Sequence, residues 1–171
     1  MPTTYTLISS NVLSSSALIV TLSSIPQTYT DLLIRYSARS DTSGTFRTLT
    51  GYFNSPDTTS WTQMLGDGST ATSSRSNSTK FTAGIINAGT STANVFSSGE
   101  LYIPNYTSST RQKQLNSECF SEQNSAIANL NKNAILWQNT SAITSVSFEV
   151  NIGTFAFETG SSFYLYGIKN S

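Results

Sequence analysis

Short blocks of Val, Ile, Thr, Tyr, Phe and Trp, broken every few residues by Ser, Asn, Asp or Gly, run along the whole chain, and almost none sustains helical spacing. β-Branched and aromatic side chains fit a pleated surface, and alternate residues of a strand face opposite ways. The pattern therefore predicts an all-β, antiparallel fold of the jelly-roll or β-sandwich kind. At 171 residues the chain is one domain's worth, and a single jelly-roll-like domain over 1–171 with one core is expected.

Strands are predicted over Tyr5–Ser10, Ala17–Leu22, Asp31–Ala38, Phe46–Phe53, Ser60–Leu65, Thr79–Ile86, Ala93–Ser97, Glu100–Tyr106, Gln112–Ser121, Ala134–Trp137, Ile143–Ile152 and Phe163–Ile168. Three of them indicate their buried face. In the third, Leu32, Ile34 and Tyr36 share one side and Leu33, Arg35 and Ser37 the other. Val146, Phe148, Val150 and Ile152 alternate with Ser147, Glu149 and Asn151, the mark of a central strand with one buried and one wet face. Phe163-Tyr164-Leu165-Tyr166-Gly167-Ile168 is apolar on both faces, which implies a strand covered on both sides or a sheet that meets a neighbouring subunit; burial with a subunit contact is the preferred reading. Turns are expected at 41–44, 54–57, 66–68 and 158–160, where Gly takes positive φ and Asx side chains close local loops. The polar stretch from Gly66 to Ser78 has the composition of a linker, and an ordered loop or polar strand is the preferred reading.

Composition narrows the chemistry. Lys and Arg number 9, Asp and Glu number 9, and there is no His. Nine scattered, balanced cations leave no phosphate footprint, so no direct nucleic-acid partner is expected. Without imidazole, and with Cys119 alone, His-based catalysis, zinc sites and an intrachain disulfide all fall away. Cys119 reads as a small buried hydrophobe. The start of the chain has neither a basic segment nor an apolar run, so a secretory signal is not expected, and no run is long enough for a membrane helix.

Most carboxylates fall in turns or on wet strand faces, and Glu118 with Glu122 makes no acid/base pair in an extended segment. No enzyme activity, cofactor or metal is expected. Asp67-Gly68-Ser69 reads as a turn and not a calcium loop. Trp61, Trp137 and some tyrosines could stack on sugars, although in a sandwich such residues mostly fill the core.

Four segments together resemble virion structural proteins of tailed bacteriophages, notably those of cyanobacteria. They are Ser24-Ile25-Pro26-Gln27-Thr28-Tyr29-Thr30-Asp31-Leu32; Ala93-Asn94-Val95-Phe96 with Leu101-Tyr102-Ile103-Pro104-Asn105-Tyr106-Thr107; Leu136-Trp137-Gln138-Asn139-Thr140-Ser141-Ala142-Ile143-Thr144-Ser145; and Ser162-Phe163-Tyr164-Leu165-Tyr166-Gly167-Ile168-Lys169. The segment 68–76 looks like its counterpart as well, whereas 119–132 departs from the family, being poorer in Gly. The resemblance implies a jelly-roll domain built into a virus particle, as a homotrimer, and carries no catalytic residue.

The expectation is a capsid cement (decoration) protein: a trimer, made in the host bacterial cytoplasm, on the capsid exterior of the virion. Its partners are itself, the major capsid protein and other virion proteins. Neutral hydroxyls and amides, with about a third of all residues Ser or Thr, suit contacts that ignore ionic strength. Candidate subunit contacts are Tyr102, Ile103, Tyr106, Phe163, Tyr164 and Tyr166, with core filling as the competing role. The alternatives are the receptor-binding tip of a head or tail fibre, or a carbohydrate-binding module.

Overall fold

A computed structural model describes residues 4–124, 128–151 and 154–169. Among these, twelve strands form: β1 (Tyr5–Val12), β2 (Ile19–Leu22), β3 (Asp31–Ala38), β4 (Phe46–Phe53), β5 (Thr59–Gly66), β6 (Ala71–Ser78), β7 (Phe81–Asn87), β8 (Ser97–Ile103), β9 (Lys113–Ser121), β10 (Asn129–Trp137), β11 (Val146–Val150) and β12 (Ser162–Ile168). They make an eight-stranded sheet, in the order β1-β12-β3-β8-β9-β10-β5-β6, and a four-stranded sheet, β2-β11-β4-β7. Pairing between these strands is antiparallel. The two sheets pack as an all-β sandwich.

The core lies between them, and the alternation read from β3 places it correctly. Leu32, Ile34 and Tyr36 point inward with Leu101 and Ile103 of β8 and Phe163 and Leu165 of β12; Leu49, Phe53, Phe81, Val146, Phe148 and Val150 face them from the small sheet. Aromatic rings run through this layer, with Phe148 and Phe163 at 5.3 Å between centroids, Phe157 edge-on to Phe163 at 5.2 Å and Phe53 against Trp137 at 5.4 Å. Each such pair contributes about 0.5–1.5 kcal/mol beyond the area it buries. Two glycines make room for Tyr36. A Cβ on Gly99 would lie 2.3 Å from the Tyr36 ring, and one on Gly84 would lie 2.4 Å from Cys119 Cβ.

β3 and β4 have the predicted ends, and most other strands shift by a few residues. Ala93–Ser97 is not a strand: residues 93–96 form a turn region in which Asn94 takes φ 62°, and β8 begins at Ser97. The polar stretch before Ser78 contains β6, an exposed edge strand of hydroxyls and one Arg75, which fits a sheet edge that must stay in water. β11 is central in its sheet, as expected. Its second face is not wet, however: Ser147 and Glu149 are buried along with the apolar residues. Ser147 meets Thr21 Oγ1 at 2.9 Å, and Glu149 is ion-paired to Lys80, which lies over it from the turn before β7. Ile143 is buried but precedes the strand, and Ile152 is outside the described residues.

Asn residues serve as local clamps. Asn54 takes φ 53°; its Oδ1 accepts from Thr144 N at 2.8 Å and Ser145 N at 3.2 Å, while its Nδ2 donates to Ala142 O. Asn tolerates the left-handed region because its short amide can bond the neighbouring backbone. Gly44, Gly68 and Gly160 take positive φ in three of the predicted turns.

Candidate functional surfaces

Strand register lays out the outer face of the large sheet in rows. Leu7 of β1, Tyr166 of β12, Leu33 of β3 and Tyr102 of β8 stand side by side, and the row continues through Asn116, Ala134, Thr62 and Arg75 to the far edge. Its first half is apolar and its second half polar. Tyr5 and Leu7 are 57% and 52% exposed. Tyr5, Leu33, Arg35 and Tyr166 line a shallow hollow of about 320 Å³.

The adjacent row is Ser10, Tyr164, Arg35, Glu100, Glu118, Lys132 and Met64. Glu100 and Glu118 are cross-strand neighbours, an unfavourable like-charge pairing, and each is met by a cation from its other side. Arg35 Nε lies 3.3 Å from Glu100 and Lys132 Nζ 3.0 Å from Glu118. Being exposed, such pairs contribute at most about 1 kcal/mol each.

The six predicted subunit contacts divide by strand parity. Tyr102, Tyr164 and Tyr166 lie half-buried on the outer face, as a surface role requires. Ile103, Tyr106 and Phe163 are fully buried in the chain's own core and have no surface to offer a second copy. For these three the contact reading is corrected to core filling. Phe163 and Ile103 sit one position away from outward residues, and Tyr106 follows β8 in a turn, where strand alternation no longer applies. Its hydroxyl donates to the Pro26 carbonyl, and its own carbonyl accepts from Ile143 N at 2.9 Å. Tyr102 is held upright by the buried Asp31, whose Oδ2 accepts from the phenol at 2.7 Å while Oδ1 accepts from Asn105 N at 2.9 Å. That hydrogen bond favours the neutral phenol and pushes the Tyr102 pKa up to about 12.

At the opposite end of the large sheet lies a cleft of about 350 Å³. The inner faces of β5 and β6 provide Trp61, Gln63, Ser76 and Ser78; Thr48, Thr50, Thr82, Ile85, Lys80 and Asn151 close it from the small sheet and its margins. The cleft exists because β5 and β6 extend the large sheet beyond the last strand of the small one, β7. Trp61 packs its inner side on the core and is only partly buried, whereas Trp137 is wholly in the core. Lys80, the charged side chain of this lining, is neutralised by Glu149, which is 3% exposed, and its ammonium lies 5.5 Å from the Tyr52 ring centre. The sequence marked Trp61 as a ring that could meet a sugar; it held no signal for the surrounding hydroxyls, because Ser and Thr are everywhere in the chain.

Other candidates resolve into structure. Cys119 is buried, its Sγ donates to the Ile85 carbonyl at 3.2 Å, and burial pushes its thiol up. Asp67 closes its own turn, accepting from Ser69 N at 2.9 Å and Thr70 N at 2.7 Å, bonds that hold its carboxyl well below the usual range. Glu118 faces Lys132 on the outer sheet, whereas Glu122 accepts from Gln123 N and Asn124 N in the following loop. Comparison of the chain with protein-family models, with curated proteins and with solved structures gives no match.

Proposed function

We propose that this chain is a structural component of a tailed-phage particle, a capsid cement protein that associates as a homotrimer and adheres to the outside of the major capsid shell. One observation carries the association: the apolar and aromatic patch of Tyr5, Leu7, Leu33, Tyr102 and Tyr166 on the outer face of β1, β12, β3 and β8. A contiguous patch of this kind in a soluble sandwich marks a surface that another protein covers. A second copy is the partner we favour, because the charges beside the patch, Arg35 and Glu100, pair with each other and the chain has no net charge, so little opposes approach between identical chains.

The topology supports the finer reading of the fold. With β5, β6, β9 and β10 set aside as two inserted hairpins, eight strands remain, in the orders β1-β12-β3-β8 and β2-β11-β4-β7. Successive strands then alternate between sheets except at β4 and β7, which pair within the small one, and the first pairs with the last; this order supports a jelly-roll winding. The resemblance of segments 24–32, 93–107, 136–145 and 162–169 to phage virion proteins supplies the setting. Three linked copies would engage several capsid subunits at once, so that weak contacts add through avidity.

The test is light scattering on purified protein, with three chains per particle expected at micromolar concentration. Tyr166→Asp and Leu7→Asp, both on the patch, should give folded monomers. Purified trimer should attach to capsids lacking it and raise their heat resistance. A monomeric wild type, or attachment to host cells and not to capsids, overturns the proposal.

A further inference from the structure

The geometry points to the Trp61 cleft as a binding site for a neutral saccharide. Its chemistry is selective. The lining joins one indole ring to hydroxyls of Thr48, Thr50, Thr82, Ser76 and Ser78 and amides of Gln63 and Asn151. A volume of about 350 Å³ lies within the range of small-molecule sites.

Four ligand classes can be weighed against that lining. A phosphate or sulfate needs uncompensated positive charge, and Lys80 is already paired with buried Glu149. A metal ion needs carboxylates or imidazoles facing the cavity, and none lines it. A lipid tail needs a mainly apolar wall, whereas Trp61 and Ile85 are the large apolar members here. A pyranose meets every requirement. Its C–H face stacks on an aromatic ring, and its hydroxyls, donors and acceptors alike, match hydroxyl and amide side chains that can play either part.

The site is preorganised mainly by strands, with Lys80 and Asn151 coming from adjoining turns. Trp61 is paired across strands with Ile135 on one side and Ser76 on the other, and its inner side packs on the core. Gln63 occupies the next inward position, between Asn133 and Ser74, and its Oε1 accepts from Ser74 Oγ at 3.4 Å, which leaves the amide nitrogen to donate. Thr50 Oγ1 donates to the Glu149 carbonyl at 3.2 Å, which holds the side chain in place. Rigid strands on two sides hold these groups before any ligand arrives, which lowers the cost of binding. The cleft lies at the β5–β6 end of the large sheet, remote from the patch at the β1–β12 end. A trimer formed through that patch would leave the cleft open, and the inference does not rest on the cement reading.

The experiment is calorimetric and saturation-transfer titration of the full chain with a panel of maltose, cellobiose, lactose and trehalose, with inorganic phosphate as the charged control. Saturable binding of at least one disaccharide is expected, with emission of Trp61 shifting in step. Trp61→Ala and Gln63→Ala should each weaken it roughly tenfold or more, and phosphate should not compete. Should Trp61→Ala fail to fold, Gln63→Ala and Thr82→Val carry the same comparison. No saturable binding across the panel at millimolar concentration, binding that survives these substitutions, or displacement by phosphate overturns the inference.

Discussion

Replacing Lys113 by Met tests how this sandwich holds its loops. Lys113 is the first residue of β9 and points inward, 2% exposed, with no carboxylate within reach among the described residues. Its ammonium donates to the carbonyls of Ser108 at 2.5 Å, Thr140 at 2.6 Å and Ser141 at 2.6 Å, and lies 5.4 Å from the Trp137 ring centre. Three charge-assisted bonds at about 1.5–3 kcal/mol each are gross gains, opposed by a desolvation cost of several kcal/mol for the buried cation. Met keeps the stem and removes both terms. What it leaves is three carbonyls from two loops without a common donor, at about 1 kcal/mol each because water can reach Thr140 and Ser141, which are exposed. A loss of about 2–4 kcal/mol follows, or roughly 4–16 °C in Tm for a domain of this size. The control is Lys132→Met on the neighbouring strand, 62% exposed at its side chain and paired with Glu118, where about 0–1 kcal/mol is expected.

The same group gives a pH signature. Burial draws the Lys113 ammonium below its ordinary value, so in the alkaline window below about 10.4 the unfolded chain binds more protons at this site than the folded one. Stability due to this group therefore rises with pH through that window. Urea denaturation of wild type and Lys113→Met from neutral pH upward measures it: the difference in stability should grow as pH rises. A loss under about 1 kcal/mol, a loss equal to that of Lys132→Met, or a difference that shrinks with pH would refute the reasoning.

Gly99→Ala should cost about 1–3 kcal/mol, since its Cβ would meet the Tyr36 ring at 2.3 Å; an unchanged denaturation midpoint would count against the close packing. Ultraviolet titration should find Tyr102 ionising near 12, and Asp31→Asn should bring it down towards the ordinary tyrosine value near 10; no movement would mean the Asp31 bond is not what holds it. Native protein should resist an aromatic disulfide reagent at Cys119 and react only as it unfolds. Rapid labelling under native conditions would show that β9 opens locally.

What the sequence disclosed depended on whether side-chain alternation was enough to define the environment. In β3 it was, because Leu32, Ile34 and Tyr36 face the partner sheet and Arg35 faces water. In β11 it was not: Ser147 and Glu149 alternate as a wet face would, yet Lys80 and Thr21 cover them from segments far away in sequence. The same limit affected the subunit contacts, where aromatic content pointed to Phe163 and Tyr164 alike and only the register separates the inward ring from the outward one. The strand β6 carries almost no apolar residue, so hydrophobic periodicity has nothing to report there. The cleft arises from unequal sheet widths, a property of topology that no local window contains.

The pairing of β1 with β12 bears on how the molecule comes into being. Tyr5 finds its partner in Ile168, and β12 in turn links β1 to β3. During synthesis β1 must wait, with its backbone unpaired and Ile8 uncovered, until β12 has left the ribosome. The large sheet can zip from β3 through β8, β9 and β10 beforehand, but its last two strands arrive together. Such distant closure is slow and leaves an unpaired edge beside β3 for the interval. The step most open to misassembly is therefore the docking of β12, and exchange of β1 between neighbouring nascent copies is the error that this pairing admits.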